Sequence, residues 1–324
     1  MLLEIRHDLT FDYDSWIHES RMELRIQPRT DANQIVHEFH LVVGPRTAPT
    51  RGWEDWLGNI VHWFGIAAWH ERIEVQALSL VTTHPPLRSP MDAQDVIHVD
   101  MGDLPRDDFT MFDGPIVDST TLRDLSQKMG LDECKTIAEW VTQLESTLHD
   151  YFEYRPQVTT WESNTDEVID ARAGVCQDFA HVTIALARLR GIPTRYVNGY
   201  LHVGTDETDA ESHAWVEFWS PSLGWIPYDP THRELPGERH VVVAYGRHYD
   251  DCPPNRGLYA GNATESLQVA VRTRVMPEES ARPRRTQSQS LEVPTFTANP
   301  LSAQAPNREF PGDEPPNAAS QQQQ

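Results

Sequence analysis

Apolar and polar residues alternate along the first third of the chain, as they do in strands with one buried face. The opening segment places apolar residues at near-alternate positions, at Leu3, Ile5, Leu9 and Phe11. Similar apolar stretches follow at residues 22–26, 35–43, 60–66 and 73–81. Proline and glycine residues separate them, as at turns. Short strands at near-regular spacing predict an N-terminal antiparallel β-sandwich, which we place at residues 1–105.

The pattern changes to helical spacing around a connector that we predict at residues 106–131. Asp118 or Ser119 is predicted to cap a short helix there, and Asp132 to cap a longer one. The longer helix has an apolar stripe on one face, formed by Ile137, Val141, Leu144, Leu148 and Phe152. Such a stripe is typical of a helix that packs on a core.

A further helix is predicted from about Cys176 to Arg190, because Gly191 and Pro193 end its periodicity. Strand patterns then return, at residues 194–201, 213–219, 224–229, 240–245 and 267–275. Helices followed by strands predict an α+β domain, which we place at residues 132–276.

The last part of the chain, residues 277–324, is rich in proline, serine and glutamine and ends in four glutamines. Such a composition buries too little apolar surface to fold. We therefore predict a disordered tail. The tail also explains part of the modest hydrophobic fraction of 39%.

The chain is strongly acidic, with 27 Lys and Arg against 49 Asp and Glu, a net charge of −22. Such a surface repels nucleic acid and anionic lipid, so we predict neither as a partner. The charge is compatible with basic peptide partners, although a solvated acidic surface alone would also explain it.

The three cysteines, Cys134, Cys176 and Cys252, are odd in number and form no Cys-x-x-Cys pair. A disulfide framework is therefore not expected, and a reducing compartment fits. The sequence shows no apolar signal-peptide segment at its start and no apolar run of membrane-spanning length. These features predict a cytoplasmic protein.

Cys176 lies where helical periodicity begins, shortly after Gly174. A thiol at a helix N-terminus faces the positive end of the helix dipole, which favours the reactive thiolate. The free N–H groups of the first turn can also receive an oxyanion. Taken alone, the residue could equally be an inert buried cysteine.

His213 and Asp229 flank a predicted hairpin whose turn is Ser-Pro-Ser-Leu-Gly at residues 220–224. A symmetric register places the two residues directly opposite each other, close enough for the carboxylate to hold an imidazole N–H. The other ring nitrogen would then be free to take a thiol proton. A structural hydrogen bond is the alternative interpretation of this pair. Together with Cys176, however, the pair has the order of a nucleophile, a base and an orienting carboxylate.

Four segments resemble motifs of the transglutaminase-like superfamily, in its bacterial branch with an N-terminal β-sandwich. They are Gly174-Val-Cys-Gln-Asp-Phe-Ala-His181, Gly191-Ile-Pro-Thr-Arg-Tyr-Val-Asn-Gly-Tyr200, Ser212-His-Ala-Trp-Val-Glu217 and Gly224-Trp-Ile-Pro-Tyr-Asp-Pro-Thr231. Less specifically, Asp55-Trp-Leu-Gly-Asn59 resembles a turn of that branch. One segment departs from it, because residues 246–254 carry His248 and Cys252 where relatives commonly have Asp and Val.

The resemblance implies a papain-like α+β core in which Cys176, His213 and Asp229 form a catalytic triad. It implies a cysteine acyltransferase, peptidase or amidase acting on a protein or peptide amide, without an organic cofactor. We predict no metal site either. The triad does not decide whether an amine or water releases the thioester. A non-catalytic interaction module that retains the fold is a second hypothesis.

Overall fold

The computed structural model describes residues 1–45, 50–97, 107–204, 208–281 and 317–318. The N-terminal strands are β1 (Leu2–Leu24), β2 (Gln34–Gly44), β3 (Arg51–Glu54), β4 (Ile60–Ile66) and β5 (His70–Thr83). The helices are α1 (Thr120–Lys128), α2 (Ile137–Tyr151), α3 (Thr165–Ala171) and α4 (Cys176–Leu189), with short strands β6 (Glu153–Tyr154) and β7 (Ala173–Gly174) between them. The later strands are β8 (Thr194–Leu201), β9 (Thr208–Ser220), β10 (Gly224–Tyr228), β11 (His240–Gly246), β12 (Asn255–Ala260), β13 (Glu265–Val275) and β14 (Asn317–Ala318).

Strand β1 belongs to both layers of the N-terminal sandwich. Its residues 3–12 lie between β5 and β13, and its residues 21–24 lie between β4 and β12, with all four pairings antiparallel. Apolar side chains from both layers form one core, which includes Leu9, Phe11, Ile17, Met22, Leu24, Phe64, Ile73, Val75 and Tyr259. The predicted antiparallel sandwich is confirmed, although β1 is one continuous strand where the sequence suggested two.

Strands β8 to β11 pair antiparallel in the order β11-β8-β9-β10, with helix α4 on one face, and β9 also pairs with β13 of the sandwich. The core between them continues into α2 and contains Trp140, Leu144, Val182, Leu186, Tyr196, Val216 and Phe218. This is the α+β core that the sequence predicted.

The N-caps of α1 and α2 differ in how well the sequence predicted them. Ser119 caps α1 through a hydrogen bond from the Leu122 N–H, as one of the two predicted candidates. Asp132 does not cap α2, because it lies in a short 3-10 turn at residues 131–133. Thr136 caps α2 instead, and Glu139 completes a capping box. Helix α3 was not predicted, since its seven residues carry too short an apolar pattern.

The last strands of the chain return to the sandwich. Strands β12 and β13 pair with β1, although both lie within the range 132–276 that the sequence assigned to the catalytic domain. The exact domain boundaries therefore stay predictions. The predicted disorder of the tail concerns mainly residues 282–316 and 319–324, which lie outside the described residues.

Two polar side chains of the sandwich bind the backbone of β11. Asn59 donates to the Tyr245 carbonyl (2.7 Å) and accepts from the Tyr245 N–H (2.8 Å). Gln34 makes the same reciprocal pair with Val242, at 2.7 and 2.8 Å. Asp55 holds the turn that presents Asn59, because it accepts the Asn59 N–H and side-chain amide. The resemblance at residues 55–59 therefore marks a contact between the sandwich and the catalytic sheet.

Arg188, near the end of α4, holds three segments together. Its buried guanidinium donates to the carbonyls of Met111 (2.6 Å), Thr194 (3.0 Å) and Arg247 (2.6 Å). Burial lowers its pKa to about 10, which leaves it charged at neutral pH. Helix α4 is thereby fixed to the segment before α1, to β8 and to the loop after β11.

We expect Arg188→Met to lower the free energy of unfolding by about 3 kcal/mol or more, because three carbonyls, with that of Thr194 in a buried hydrogen bond, would lose their charged donor. Urea unfolding of the purified variant measures this. Arg123→Met, at a side chain that is 54% exposed, is the control and should stay within about 0.5 kcal/mol of wild type. Equal stability of the two variants would contradict the assignment.

Candidate active site

Helix α4 begins at Cys176, and a set of buried contacts fixes this start. Val175 is the N-cap residue, and the Asp178 carboxylate accepts both its N–H (2.7 Å) and the Thr159 hydroxyl (2.6 Å). A side chain at Gly174 could not be accommodated, since its Cβ would lie 2.4 Å from Asp178 Oδ2. The thiol therefore lies at the positive end of the helix dipole, as the sequence predicted.

His213, on β9, lies between the other two predicted triad residues. Its Nε2 is 2.7 Å from Asp229 Oδ2, and Cys176 interacts with the imidazole closely enough to raise the pKa of His213. Cys176 and His213 are each 3% exposed, and Asp229 is completely buried. The structure thus brings the three predicted residues together in the order thiol, imidazole, carboxylate.

The hairpin register differs from the symmetric one that the sequence suggested. Strand β10 pairs Tyr228 with Val216, so the hairpin is centred on Ser222 and Trp215 is the position opposite Asp229. Asp229 follows the last residue of β10 and contacts His213 diagonally. His213 and Asp229 still meet because positions two apart on a strand share a face of the sheet.

Asp229 accepts hydrogen bonds from three imidazoles through one oxygen. Besides His213, its Oδ2 lies 2.8 Å from His232 Nδ1 and 3.3 Å from His240 Nε2. Its Oδ1 accepts the backbone N–H groups of Thr231 (2.9 Å) and His232 (3.2 Å). Burial raises the pKa of Asp229, but the hydrogen bonds from the imidazoles outweigh burial and hold the pKa well below its usual value. The carboxylate therefore stays ionised.

The same contacts make His213 a strong base. Burial lowers its pKa, but the hydrogen bonds to Asp229 and Cys176 outweigh burial and raise the pKa to about 10. With Nε2 held by the carboxylate, Nδ1 is the nitrogen available for the thiol proton. An imidazole of this kind can take that proton and later give it to a leaving group.

Sequence reasoning missed His232 and His240. His232 had a weak signal, because a side chain three residues after Asp229 can return to it within a turn. His240 had no such signal, since its contact with Asp229 depends on the order of strands in the sheet.

The other two cysteines, Cys134 and Cys252, have no imidazole partner of this kind. Cys252 is completely buried, and burial raises the pKa of both its thiol and that of Cys134.

The divergent loop at residues 246–254 contacts helix α4. The Tyr249 N–H donates to His181 Nε2 on α4 (3.1 Å), and Asn198 on β8 donates to the Cys252 carbonyl (3.0 Å). His248 is buried, with Nε2 3.5 Å from Asp113 Oδ2. The two residues that depart from the family pattern, His248 and Cys252, are therefore both buried.

One group among the described residues has the side chains to hold a metal ion. It consists of His213, Asp229 and His240, whose ligand atoms lie within 4.8 Å of one another. The same atoms hydrogen-bond to each other, which explains their proximity without an ion. That the protein needs neither metal nor organic cofactor stays a prediction.

Comparison with known proteins places this geometry in a family. Residues 123–230 match the family model of the transglutaminase-like superfamily, and residues 3–82 match that of the bacterial transglutaminase-like N-terminal region. An uncharacterised protein of Mycobacterium leprae is 30% identical over 283 residues, which cover 83% of this chain and 97% of the relative. The chain belongs to the transglutaminase-like superfamily. Its N-terminal sandwich is that of the bacterial branch, as the sequence motifs implied.

Other relatives of this transglutaminase-like protein vary in how much they share. A protein-glutamine gamma-glutamyltransferase of Pseudomonas aeruginosa is 30% identical over 129 residues, which cover 35% of this chain and 19% of that protein. A solved structure from Cytophaga hutchinsonii, named as a candidate cysteine protease, has a TM-score of 0.69 at 21% identity and covers 86% of this chain and 92% of its own. That likeness shows the shared fold.

Among the described residues of our chain, no helix has the length and apolar character to cross a membrane.

The raised pKa of His213 predicts a pH-dependent stability. The folded-state value of about 10 exceeds the usual 6.5, so the stabilisation is complete below about pH 6.5 and lost as pH rises through about 10. Urea unfolding of wild type and His213→Gln should therefore give a free-energy difference that is largest near pH 6 and shrinks towards about pH 10. A difference that does not change with pH would contradict the assignment.

Proposed function

We propose that this transglutaminase-like protein is a cysteine-dependent enzyme that transfers or hydrolyses the acyl group of amides, with Cys176, His213 and Asp229 as its catalytic triad. The observation that carries the proposal is the position of His213, whose Nε2 lies 2.7 Å from a buried carboxylate and whose pKa is also raised by Cys176 at the start of α4. A family fold alone would not imply activity. A base held between a nucleophile and an ionised orienting group is the arrangement that acyl transfer requires.

In the proposed reaction His213 Nδ1 holds the proton taken from the Cys176 thiol, and the thiolate Sγ attacks the amide carbonyl. The first-turn N–H groups of α4 have no acceptor within the helix and are placed to bind the oxyanion. His213 then gives its proton to the leaving nitrogen, so that the C–N bond breaks and a thioester remains. Attack by a primary amine or by water releases the acyl group and restores the thiol.

We propose a protein or peptide glutamine as the first substrate class to test. The relative named protein-glutamine gamma-glutamyltransferase supports this choice. Amine release would make the protein a transferase, and water release would make it an amidase or peptidase. The cytoplasmic location and the absence of nucleic-acid and membrane partners remain predictions from the sequence.

We expect the wild-type protein to modify glutamine peptides, and Cys176→Ala to abolish this while retaining the fold. Incubation of a glutamine peptide library with and without a primary amine, followed by mass spectrometry, distinguishes amine incorporation from conversion to glutamate. Cys134→Ala is the matched control and should keep full activity. If electrophilic probes label Cys134 or Cys252 and leave Cys176 unmodified, Cys176 is not the nucleophile.

We expect Asp229→Asn to lower turnover by about 10³–10⁴-fold. An Asn amide facing His213 Nε2 would donate to it, which moves the ring proton to Nδ1 and blocks acceptance of the thiol proton. Steady-state kinetics of the folded variant measures the loss.

The control is Asp95→Asn, at a carboxylate that accepts the Ser222 hydroxyl at the turn of the same hairpin. Its turnover should stay within a few-fold of wild type. Unchanged kinetics in Asp229→Asn would remove Asp229 from the triad.

A further inference from the structure

We propose that His240 is a positioning residue of this active site, which holds Asp229 in the orientation in which its Oδ2 meets His213. The inference rests on the proposed function of the triad and adds a fourth residue to it. The observation behind it is the hydrogen bond between His240 Nε2 and Asp229 Oδ2, at 3.3 Å, from a strand that carries no triad residue.

Asp229 needs such an anchor because it lies outside the strand ladder. Strand β10 ends at Tyr228, and Asp229 opens a turn that closes at Glu234. Its Oδ1 is held by two N–H groups of that same turn, at Thr231 and His232. These bonds orient the carboxylate relative to the turn but not relative to the sheet.

His232 does not supply the missing anchor. It lies on the same turn, three residues after Asp229, so it moves with the carboxylate. Its side chain is 45% exposed, and water competes for a bond at such a site. His240 is 6% exposed and lies on β11, which is part of the sheet. Of the two additional imidazoles, only His240 connects Asp229 to a fixed element.

The hydrogen bonds of His240 define its chemical state. Its Nδ1 accepts the Gly237 N–H at 3.3 Å, so its Nε2 carries the proton and donates to Asp229. Burial lowers the pKa of His240, which keeps the ring neutral. The charged and titratable groups facing it are Asp229, Glu234, with Oε1 3.8 Å from Nε2, and His213, whose ring centre is 6.0 Å away. A neutral donor can hold the carboxylate without supplying a second positive charge that would compete with His213.

Gly199, on the strand β8 that separates His240 from His213, leaves room for the Trp215 ring against which His240 packs. Gly199 pairs with His213 on one side and with Val242 on the other. A Cβ at this position would lie 2.4 Å from the Trp215 ring and 2.2 Å from the Val241 carbonyl. The Trp215 ring occupies that space and meets the His240 ring edge-to-face, with centres 5.3 Å apart. The imidazole is thus directed towards the triad by packing.

The test measures the rate of iodoacetamide alkylation at Cys176 as a function of pH, with peptide mass spectrometry to separate the three thiols. It needs no substrate. The rate rises where the thiolate forms opposite the His213 imidazolium. In His240→Ala a misoriented Asp229 would stabilise that imidazolium less. We expect the rise to move up by about one pH unit, the size of one hydrogen bond to a charged group.

Two further variants separate positioning from packing. His240→Gln can return an N–H donor near the place of Nε2, so its pH profile should lie close to that of wild type and most of the shift should be absent. His202→Ala removes another buried imidazole, which binds the Thr273 hydroxyl at 2.7 Å, and should leave the profile at wild type. Circular dichroism verifies that each variant is folded.

A folded His240→Ala with the wild-type pH profile would overturn the proposal, as would a shift of equal size in His240→Gln. The reactivity of Cys176 in the wild-type protein tests the triad itself. If the wild-type thiol at Cys176 reacts only where an ordinary thiol ionises, the proposed function fails, and the role of His240 fails with it.

Discussion

The proposed active site depends on keeping one carboxylate charged without any contact with water. Asp229 is fully buried, and an unpaired buried charge would cost several kcal/mol. Five hydrogen bonds to its two oxygens offset that cost, and those from the imidazoles lower its pKa. Because Asp229 stays ionised, His213 becomes a strong base, and the thiol at the start of α4 has an acceptor for its proton. The chemistry that we propose for Cys176 therefore depends on the buried, ionised carboxylate of Asp229.

The sequence predicted best those elements whose determinants are local. The stripe of α2, the end of α4 at Gly191 and the strands after it all follow from spacing and turn residues. The errors arise where two local signals compete or where tertiary contacts decide. Thr136 caps α2 instead of Asp132 because the capping box with Glu139 begins one residue before the helix. Neither the continuity of β1 nor its pairing with β13 is visible in a local pattern.

The difference between local and tertiary determinants also explains which residues of the site could be predicted. Cys176 could be identified because a helix start is a local feature, and His213 with Asp229 because a hairpin joins them. The predicted register was wrong by two positions, yet the contact was right, since an even shift keeps both residues on one face. His240 could not be identified, because its approach depends on β8 lying between β11 and β9. Strand order is the information that one sequence lacks.

The N-terminal sandwich takes part in this arrangement through β11. Asn59 and Gln34 each make a reciprocal pair of hydrogen bonds with the backbone of β11, at Tyr245 and Val242. Strand β11 is an edge of the catalytic sheet, and an edge strand has one side of its backbone without a partner strand. The sandwich supplies those partners and fixes the strand that carries His240. A sandwich that precedes the core in sequence thus contacts the strand from which His240 reaches Asp229.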